Sequence, residues 1–399
     1  MSKNVIDEKL KNNIEEYISY LCKNSTVEKP LWNKEVFMGL KQPGWTYIDG
    51  CMMVGLDTLY KYNHNKDLLK YIENFVGPLV NDDGYVKILY YNNYNTYTTE
   101  GCDSDPCNMA KLLYTLYDET KNEKYRKSIE FFMNEQVRKL PRVLGNFWHK
   151  IKYYNQIWLD GLYMIQPFFA EYTKRYEDKM SYYDIVYQLE NAFKLTWVKS
   201  LRLNVHGYDG QYEDKSKKMI WSDSRNGKSK VVWGRANGWF IMALVDVYEI
   251  IDDDFLKQKI AKIIKEVVDG LILYIDPKTK MIWQVVDKIG KEKNYPETSG
   301  SLMIAYSIMK AVRLQALDDT YLKYGVDMFK GTCDTYFKEV NGVFTLGGIC
   351  IGAGLTASRT DKYAGTYDMY VSRKVVDDDG KAVGPFVMAY TEILMLENE

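Results

Sequence analysis

One carboxylate within an apolar segment is the first residue of this sequence that could do chemistry. Asp160 lies in the run QIWLDGLYM, residues 156–164, at the start of a predicted helix. Because an ionised carboxylate is poorly solvated in apolar surroundings, we expect the pKa of Asp160 to rise toward the range of a general acid. The structural alternative is a first-turn helix residue whose charge is balanced by free backbone N–H groups.

A second carboxylate begins another predicted helix. Asp105 precedes Pro106, and this pair is typical of an N-cap followed by the first helical position. Capping is therefore the default interpretation of Asp105. If its helix begins beside the helix of Asp160, the two acids also face each other as the paired carboxylates of a glycosidase. The two interpretations are compatible.

An arginine between two tryptophans begins a third predicted helix, in the run VWGRANGWF, residues 232–240. A guanidinium group binds a carboxylate through two parallel hydrogen bonds, and an indole ring can cover the face of a sugar. Arg235 and Trp239 could therefore clamp an acidic sugar. The alternative is a buried cation–π contact with a packing role.

Further polar and aromatic candidates lie in neighbouring segments. His149 and Lys150 end the run FWHK, and His206 begins the run HGYD. Trp45 and Tyr47 lie where another predicted helix begins. For either histidine, an ordinary surface position is the alternative to a role in a site.

The elements that position these residues are predicted to be helices. Apolar residues recur at i, i+3, i+4 and i+7 through most of the chain, whereas alternating strand-like runs are few and short. Strand-type residues bounded by Gly or Asp predict short β-hairpins at 82–91, 280–288 and 341–352. The helical period extends over twelve stretches: 7–24, 46–62, 66–77, 105–119, 123–138, 156–174, 181–199, 233–251, 254–275, 297–315, 319–337 and 383–397.

The twelve helices form pairs, in which an apolar helix rich in small residues is followed by a more amphipathic one. Such pairs either stack into an open solenoid or close into a ring. We predict the ring, a single (α/α)6-barrel domain over residues 1–399, with the site on the rim where the inner helices begin. The reason is that five long insertions all precede the apolar helix of a pair: 78–104, 139–155, 200–232, 276–296 and 338–382.

Composition excludes several other classes of protein. The 53 Lys and Arg residues balance 54 Asp and Glu residues, so no net positive field attracts nucleic acid or anionic lipid. No apolar run reaches the ~20 residues of a membrane helix, and the charged first residues do not resemble a secretory signal. Together with six cysteines that form no C-x-x-C pair, this favours a cytoplasmic protein with reduced thiols.

Cofactor motifs are missing from the sequence. It contains no phosphate-binding glycine loop, no H-E-x-x-H and no G-x-S-x-G, and three histidines are too few for a histidine-rich metal site. We therefore expect catalysis by carboxylates on a small saccharide, with no cofactor and no metal. We also expect a monomer or a weak homo-oligomer that binds neither nucleic acid nor membrane.

Taken together, the motifs resemble glycoside hydrolase family 105, the unsaturated rhamnogalacturonyl hydrolases. The resemblance extends in register from about Trp45 to the C-terminus. It rests on FWHK, QIWLDGLYM, HGYD, WGRANGW, ETSGS, GGICIGAG and the C-terminal YVSR and GPFVMAYTEI. It implies an (α/α)6 barrel that removes a 4-deoxy-4,5-unsaturated uronic acid from the non-reducing end of oligosaccharides left by polysaccharide lyases, as in pectin degradation.

The same resemblance implies roles for the candidate residues. Asp160 matches the acid/base and Asp105 the second carboxylate. One departure is Asp49, which stands where the family carries glutamine and adds an acid near the site. The other candidates match positions around the sugar: His206 and Arg235 hold it, Tyr47 and Trp239 form walls beside Trp45, and His149 and Lys150 lie on the rim.

The implied reaction is a hydration. The acid protonates C4 of the C4=C5 double bond and then, as base, activates the water that attacks C5. Three alternatives stay open. They are an unsaturated glucuronyl hydrolase with the same fold and chemistry, an inverting glycosidase with Asp105 and Asp160 ~6.5–9.5 Å apart, and a non-catalytic carbohydrate-binding protein.

Overall fold

The computed structural model describes residues 5–86, 103–356 and 358–398. Each of the twelve predicted stretches contains a helix, although residues 156–158 and 197–198, at the ends of two of them, are strands. The helices are α1 (Glu8–Lys23), α2 (Lys34–Phe37), α3 (Tyr47–Asn63), α4 (Lys66–Val76), α5 (Pro106–Ala110), α6 (Leu112–Thr120), α7 (Glu123–Phe131), α8 (Leu159–Tyr176), α9 (Ser181–Thr196), α10 (Gly234–Ile250), α11 (Asp254–Leu271), α12 (Thr298–Arg313), α13 (Leu322–Tyr336), α14 (Tyr367–Val371) and α15 (Gly380–Asn398).

The helices form two concentric layers around one axis. The inner layer is a closed ring in which α3, the α5 and α6 pair, α8, α10, α12 and α15 each pack against the next, and α15 packs against α3. Each inner helix has an outer partner: α4, α7, α9, α11 and α13 follow their partners in the chain, and α1 covers α15. The fold is therefore the predicted (α/α)6 barrel.

Small residues allow the ring to close between its first and last inner helices. A Cβ atom on Gly55 of α3 would lie 2.7 Å from the carbonyl oxygen of Gly384 in α15. Such a distance is far inside van der Waals contact, so the two backbones touch because neither residue has a side chain there. This explains why the apolar helix of each predicted pair is also the one rich in small residues.

The N-terminal helix is fastened to the last inner helix by one buried carboxylate. Glu397 Oε1 accepts hydrogen bonds from the backbone N–H groups of Val5, at 2.7 Å, and Ile6, at 3.1 Å. Glu397 Oε2 pairs with Lys11 of α1 at 2.6 Å. The sixth hairpin of the barrel is thus assembled from the two ends of the chain.

Local departures from the predicted helices occur where the helical period changes. The stretch 105–119 is two helices that meet at Lys111, and α7 continues into a π-helical turn over Phe132–Val137. The short helices α2 and α14 were not predicted, because helices of four and five residues are too short to show an apolar period. No helix in the described part of the chain is long and apolar enough to cross a membrane.

Within residues 5–86, 103–356 and 358–398, ten short strands form five antiparallel pairs at the edges of the barrel. β1 pairs with β2, β3 with β6, β4 with β5, β7 with β8, and β9 with β10. They are β1 (Arg142–Val143), β2 (Asn146–Phe147), β3 (Gln156–Trp158), β4 (Trp197–Val198), β5 (Leu203–Asn204), β6 (Gly207–Asp209), β7 (Phe337–Val340), β8 (Val343–Leu346), β9 (Ile349–Cys350) and β10 (Val375–Val376).

The three predicted hairpins have different outcomes. The segment 341–352 contributes the turn and second strand of the β7–β8 hairpin, as well as β9. The segment 280–288 forms no named strand, but Trp283 makes an isolated antiparallel bridge with Pro296, and Val285 makes another with Trp233 in the chain that leads into α10. The prediction at 82–91 lies mostly outside the described residues, although Val80 and Val86 form an isolated bridge.

The cysteines in the described part of the chain are all free thiols, and four of those five are buried. Cys102 lies outside the described residues.

Candidate active site

A cavity of about 470 Å³ opens at the end of the barrel where the inner helices begin. Its walls come from the first turns of α3, α5, α8 and α10 and from the loops that precede them, with residues 352–356 on one side. Eight of the nine predicted site residues lie on these walls: Trp45, Tyr47, Asp105, His149, Lys150, Asp160, Arg235 and Trp239.

The ninth residue, His206, lies behind the cavity wall. It is completely buried, and its Nε2 atom is 2.9 Å from Asp160 Oδ2. Its Nδ1 atom is 2.6 Å from the hydroxyl oxygen of Tyr370. His206 therefore holds the carboxylate of Asp160, rather than standing on the wall as a direct sugar ligand.

The local structure explains how Asp160 is presented. Strand β3 ends at Trp158, and its pairing with β6 places Trp158 opposite Gly207, next to His206. Helix α8 begins one residue later, so Asp160 is in the first helical turn with its side chain 15% exposed. A strand that leads directly into a helix thus brings an acid and a histidine together from segments 46 residues apart.

The expectation that burial would raise the pKa of Asp160 was wrong. Burial does favour the neutral carboxyl, but the charge of His206 and its hydrogen bond to Asp160 outweigh that effect and hold the pKa of Asp160 below its usual value. The sequence interpretation counted the apolar neighbours of Asp160 along its own helix. It did not include a partner from the loop before α10.

Asp105 forms a second acidic group on the cavity wall. Its carboxylate pairs with Lys150, which also contacts Asp103 Oδ1 at 3.2 Å. The predicted N-cap bond is not made, because the Asp105 side chain turns to Lys150 instead of to the first N–H groups of α5. Burial raises the pKa of Asp103 to about 6, against the opposing effect of Lys150.

His149 is fixed beside this acidic group. Its Nδ1 atom is 3.0 Å from the hydroxyl of Ser104, and its ring stacks on Trp158 with centroids 4.4 Å apart. Burial and the charge of Lys150 hold the pKa of His149 well below its usual value. His149 is therefore a neutral ring near pH 7, and it can exchange hydrogen bonds without carrying charge.

Arg235 reaches the cavity from the first turn of α10. Its Nε atom donates to Ser299 Oγ at 2.7 Å, and its Nη2 atom donates to the carbonyl of Cys350 and lies 3.4 Å from Glu297 Oε1. Glu297 also accepts from the N–H of Gly300, at the start of α12. The guanidinium is thus held rigidly by its neighbours at the cavity wall, with 1% of the side chain exposed.

Aromatic rings complete the walls. The Trp239 ring stacks on Tyr163 with centroids 5.0 Å apart. Trp45 stacks on Phe132 at 5.3 Å and donates its indole N–H to the carbonyl of Pro106, which ties the start of α3 to the start of α5. These rings are positioned before any ligand arrives, as a stacking surface for sugar requires.

Asp49 does not reach the cavity. It is buried in the first turn of α3, where its two carboxylate oxygens accept from Trp32 Nε1 and Asn33 Nδ2, each at 2.9 Å, and from the Thr46 hydroxyl at 2.6 Å. Burial nevertheless raises its pKa to about 6. Asp49, which departs from the family pattern, therefore ties Trp32 and Asn33 to the first turn of α3.

Two important residues of the site were not assigned by sequence. Glu297 lies in the segment ETSGS, which resembles the family motif, but its ion pair with Arg235 depends on the packing of α10 against α12. Tyr370 is 164 residues from His206, and no spacing within the sequence indicates their contact. In the described residues, no group of three or more His, Cys, Asp or Glu side chains is arranged to hold a metal ion.

A barrel of this architecture, with acids and indole rings around one deep cavity, is built like a carbohydrate-active enzyme. The model of Glycosyl Hydrolase Family 88 matches residues 6–397, and the chain belongs to that family. It is also similar to a solved glycoside hydrolase of family 105 from C. acetobutylicum, with 31% identity, a TM-score of 0.84, and coverage of 97% of this chain and 100% of the other.

Two further similarities agree with this. The chain is 34% identical over 235 residues to a 24.9 kDa protein in the picA locus of Rhizobium radiobacter, covering 58% of this chain and 98% of that protein. An unsaturated glucuronyl hydrolase from Bacillus sp. GL1 has the same fold, with a TM-score of 0.65 at 12% identity, covering 99% of this chain and 97% of the other.

Proposed function

We propose that the protein removes the 4-deoxy-4,5-unsaturated uronic acid from the non-reducing end of lyase-generated oligosaccharides, by hydration of the C4=C5 double bond. The observation that carries the proposal is the placement of Asp160. It is a carboxyl on the cavity wall, held by His206, and it shares that cavity with a rigid arginine. An activated vinyl ether needs one well-placed acid and a site for an anionic ring, and this cavity offers both.

The chemistry follows in two proton transfers. Asp160 gives its proton to C4, and the positive charge that develops at C5 is shared with the ring oxygen. Asp160, now a carboxylate, takes a proton from a water molecule while the water oxygen bonds to C5. The resulting hemiketal opens by breaking the bond from C5 to the ring oxygen, and the hemiacetal left at C1 releases the aglycone as an alcohol.

For the first step Asp160 has to be protonated, although its pKa is low in the free protein. The uronate carboxylate of the substrate is an anion, and an anion beside Asp160 favours the neutral carboxyl. Binding also expels water from the cavity, which strengthens the same effect. Substrate binding is thus the event that converts Asp160 into an acid.

Arg235 is the group that fits the uronate carboxylate. A guanidinium fixed by Ser299 and Glu297 is already oriented, so binding an anion requires little further ordering. Trp239 offers the ring face of the sugar a flat surface beside it. Asp105, paired with Lys150, is the second carboxylate on the cavity wall, placed to bond sugar hydroxyls or the attacking water.

Among substrates, we propose the unsaturated rhamnogalacturonan disaccharide. The support is the 31% identity, over nearly the whole chain, to a glycoside hydrolase of family 105. The similarity to the enzyme named unsaturated glucuronyl hydrolase is confined to the fold at 12% identity. The glucuronyl substrate is therefore the second candidate.

The test is a panel of three disaccharides followed by the ultraviolet absorbance of the C4=C5 bond and by release of the reducing sugar. We expect absorbance to fall fastest with the unsaturated galacturonyl-rhamnose disaccharide, more slowly with unsaturated glucuronyl disaccharides, and no cleavage of the saturated galacturonyl control. Cleavage of the saturated control would identify an ordinary glycosidase. Faster turnover of the glucuronyl substrates would reassign the specificity but keep the chemistry.

A further inference from the structure

A second arginine lies on the wall of the catalytic cavity, closer to solvent than Arg235. Arg373 is exposed, and its Nε atom donates to the carbonyl of Gly352 at 2.5 Å. Within the described part of the chain no carboxylate pairs with Arg373, whereas Arg235 and Lys150 on the same wall are each paired with an acid. The Arg373 guanidinium thus keeps N–H groups that an anionic ligand can bind.

Arg373 and Arg235 are both bound to one extended segment of the wall. The pairing of β9 with β10 continues one residue past Cys350. In such a pair, carbonyls two residues apart point to the same side of the strand and lie ~7 Å from each other. Arg235 binds the carbonyl of Cys350, and Arg373 binds that of Gly352. The two guanidinium groups therefore follow one edge of the segment, with Arg235 at its buried end and Arg373 at its exposed end.

The wall beside Arg373 leaves room for a ligand. A Cβ atom on Gly352 would meet no other atom within 4 Å, so the space in front of this residue is open. Two residues further on, a Cβ atom on Gly354 would lie 3.4 Å from the ring of Trp158, so that part of the wall is already packed. The open space is thus confined to the position whose carbonyl holds Arg373.

An aromatic ring stands beside the same arginine. Tyr363 lines the cavity with 45% of its surface exposed. Its hydroxyl donates to the carbonyl of Asp368 at 2.9 Å and contacts the hydroxyl of Ser372, the residue before Arg373. The ring is therefore held in place by its own hydroxyl, and its exposed surface is suited to packing against a sugar.

We propose that Arg373, Gly352 and Tyr363 form a second subsite at the mouth of the cavity, in which Arg373 binds a carboxylate of the aglycone. The inference rests on the proposed function, in which Arg235 holds the terminal uronate deep in the cavity and the aglycone extends toward solvent. The protein is then a better enzyme for acidic oligosaccharides than for a disaccharide whose second sugar is neutral.

Two kinds of aglycone present such a carboxylate. In a chain that alternates galacturonate with rhamnose, the next carboxylate after the terminal one belongs to the third sugar. In a chain of galacturonate alone, it belongs to the second sugar. The chemistry that Arg373 recognises is the same in both, and the proposed rhamnogalacturonan substrate corresponds to the first.

The kinetic test compares substrates that differ in their second acid. They are the unsaturated galacturonyl-rhamnose disaccharide, the tetrasaccharide of the same repeat and the unsaturated digalacturonate. For Arg373→Gln, we expect the ratio of kcat/KM for the tetrasaccharide to kcat/KM for the disaccharide to fall about fivefold. The control is Lys374→Gln, which removes the same charge from the next residue, exposed but not on the cavity wall, and should keep the wild-type ratio.

The digalacturonate identifies the sugar that Arg373 contacts. If its kcat/KM relative to the disaccharide also falls in Arg373→Gln, the subsite binds the acid of the second sugar. If only the tetrasaccharide is affected, the subsite binds the acid of the third. If neither ratio changes, or if Lys374→Gln changes them equally, Arg373 makes no contact with an acidic aglycone and the inference is overturned.

A second variant tests the open space rather than the charge. The backbone of Gly352 does not require glycine, because its φ is not in the left-handed region, and a larger side chain there meets no protein atom. Gly352→Leu should fill the space and raise KM for the tetrasaccharide about tenfold, whereas Gly352→Ala should stay within about twofold of wild type. An unchanged KM in Gly352→Leu would show that the aglycone does not pass this part of the wall.

A binding measurement separates the inference from the proposed function. Calorimetry with Asp160→Asn, which is expected not to turn the substrate over, gives the Kd of each oligosaccharide with and without Arg373→Gln. If the wild-type protein turns over none of the unsaturated substrates, the proposed function is overturned. A Kd for the tetrasaccharide about fivefold weaker in Arg373→Gln, with a smaller change for the disaccharide, would still support the subsite. Equal Kd values with and without Arg373→Gln overturn it.

Discussion

Each end of the barrel has a charged cavity, one of about 470 Å³ where the inner helices begin and one of about 390 Å³ where they end. In the second, cations and carboxylates from the ends of the inner helices pair with one another. Lys310 contacts Asp246 at 2.8 Å and Glu249 at 2.7 Å, and Arg313 binds both oxygens of Glu392 at 2.8 Å. The charges of the far end largely satisfy each other.

The catalytic end is arranged differently. Asp160 is held by a histidine rather than by a lysine or arginine, and Arg235, on the cavity wall, is paired with the buried Glu297. Helix direction explains part of the contrast, because the starts of helices carry partial positive charge and favour anions, whereas their ends favour cations. Six helices that point the same way therefore make one end suited to an anionic sugar and the other to buried lysine and arginine.

One lysine, Lys111, lies between the two cavities in the middle of the barrel. Lys111 lies at the junction of α5 and α6, with its Nζ atom 3.3 Å from the ring centroid of Tyr163. The Tyr163 ring stacks in turn on Trp239, which lines the catalytic cavity. Burial lowers the pKa of Lys111 to about 7. The junction of α5 and α6 thus lies between the catalytic cavity and the cavity that contains the ion pairs.

The largest effect is expected at the catalytic end. Asp160→Asn keeps the hydrogen bond with His206 possible but cannot transfer a proton, so we expect turnover to fall by about 10³-fold or more. The midpoint of thermal unfolding should change little. Turnover is measured by the absorbance of the C4=C5 bond, and the unfolding midpoint by calorimetry. If the variant kept more than a tenth of wild-type turnover, Asp160 would not be the acid/base.

The opposite pattern is expected at the far end. Lys310→Met leaves Asp246 and Glu249 without their shared cation, and removing one partner from a buried charge network costs about 3–5 kcal/mol. Urea unfolding should show this loss, while kcat of the folded variant at 25 °C should match wild type. The control is Lys179→Met, which breaks an exposed pair with Asp252 and should cost no more than about 1 kcal/mol. Equal stability of the two variants would mean that the far-end ion pairs are not structural.

A pH-dependent effect is expected beneath the catalytic end. The folded pKa of Asp49 is raised to about 6 from 3.8, so its contribution to stability is complete below pH 3.8 and is lost as pH rises through 6. The loss amounts to about 3 kcal/mol between pH 3.5 and pH 7 by the usual conversion of about 1.4 kcal/mol per pH unit.

Asp49→Asn should lack this slope, so the difference in unfolding free energy between variant and wild type, measured by urea unfolding at each pH, should change by about 3 kcal/mol between pH 3.5 and pH 7. Asp83→Asn, at an exposed position, is the control and should leave the curve of wild type unchanged. A difference curve that is flat for Asp49→Asn would show that the buried carboxyl does not titrate in this range.

The smallest of these effects is expected for Arg235→Lys. Lysine retains the positive charge opposite Glu297 but loses the fixed bond to Ser299 and the planar fork that matches a carboxylate. We expect KM for the unsaturated disaccharide to rise about tenfold, with a smaller change in kcat. An unchanged KM would show that the uronate carboxylate binds elsewhere on the cavity wall.

The barrel could be predicted from sequence because its inner and outer helices bury different amounts of surface. An inner helix such as α12 is buried on nearly every side, whereas α11 carries one apolar stripe and a solvated face of Lys and Glu. The contrast repeats six times, and it gives both the number of hairpins and their order. The short α2 and α14 escape this approach because four or five residues are too few to show an apolar period. The segment 280–288 escapes it because its backbone bonds to residues 232–234 and 295–297.

The site could be predicted only in part, for a similar reason. Motifs place the side chains at the starts of inner helices, so Asp105, Asp160 and Arg235 were expected to converge. The partners that determine their chemistry come from other segments: His206 sets the low pKa of Asp160, and Lys150 draws Asp105 away from its capping position. The electrostatic environment of a side chain depends on its contacts with other segments of the barrel, and no local sequence pattern indicates those contacts.

The most direct test of the central claim is to run the reaction in D₂O and examine the released uronic acid derivative by proton NMR and mass spectrometry. If Asp160 delivers a solvent-exchanged proton to the double bond, the product carries one deuterium at C4 and has lost the C4=C5 bond. If instead the sugar is released with the double bond intact and no deuterium at C4, the enzyme cleaves at C1 as an ordinary glycosidase, and the hydration account is contradicted.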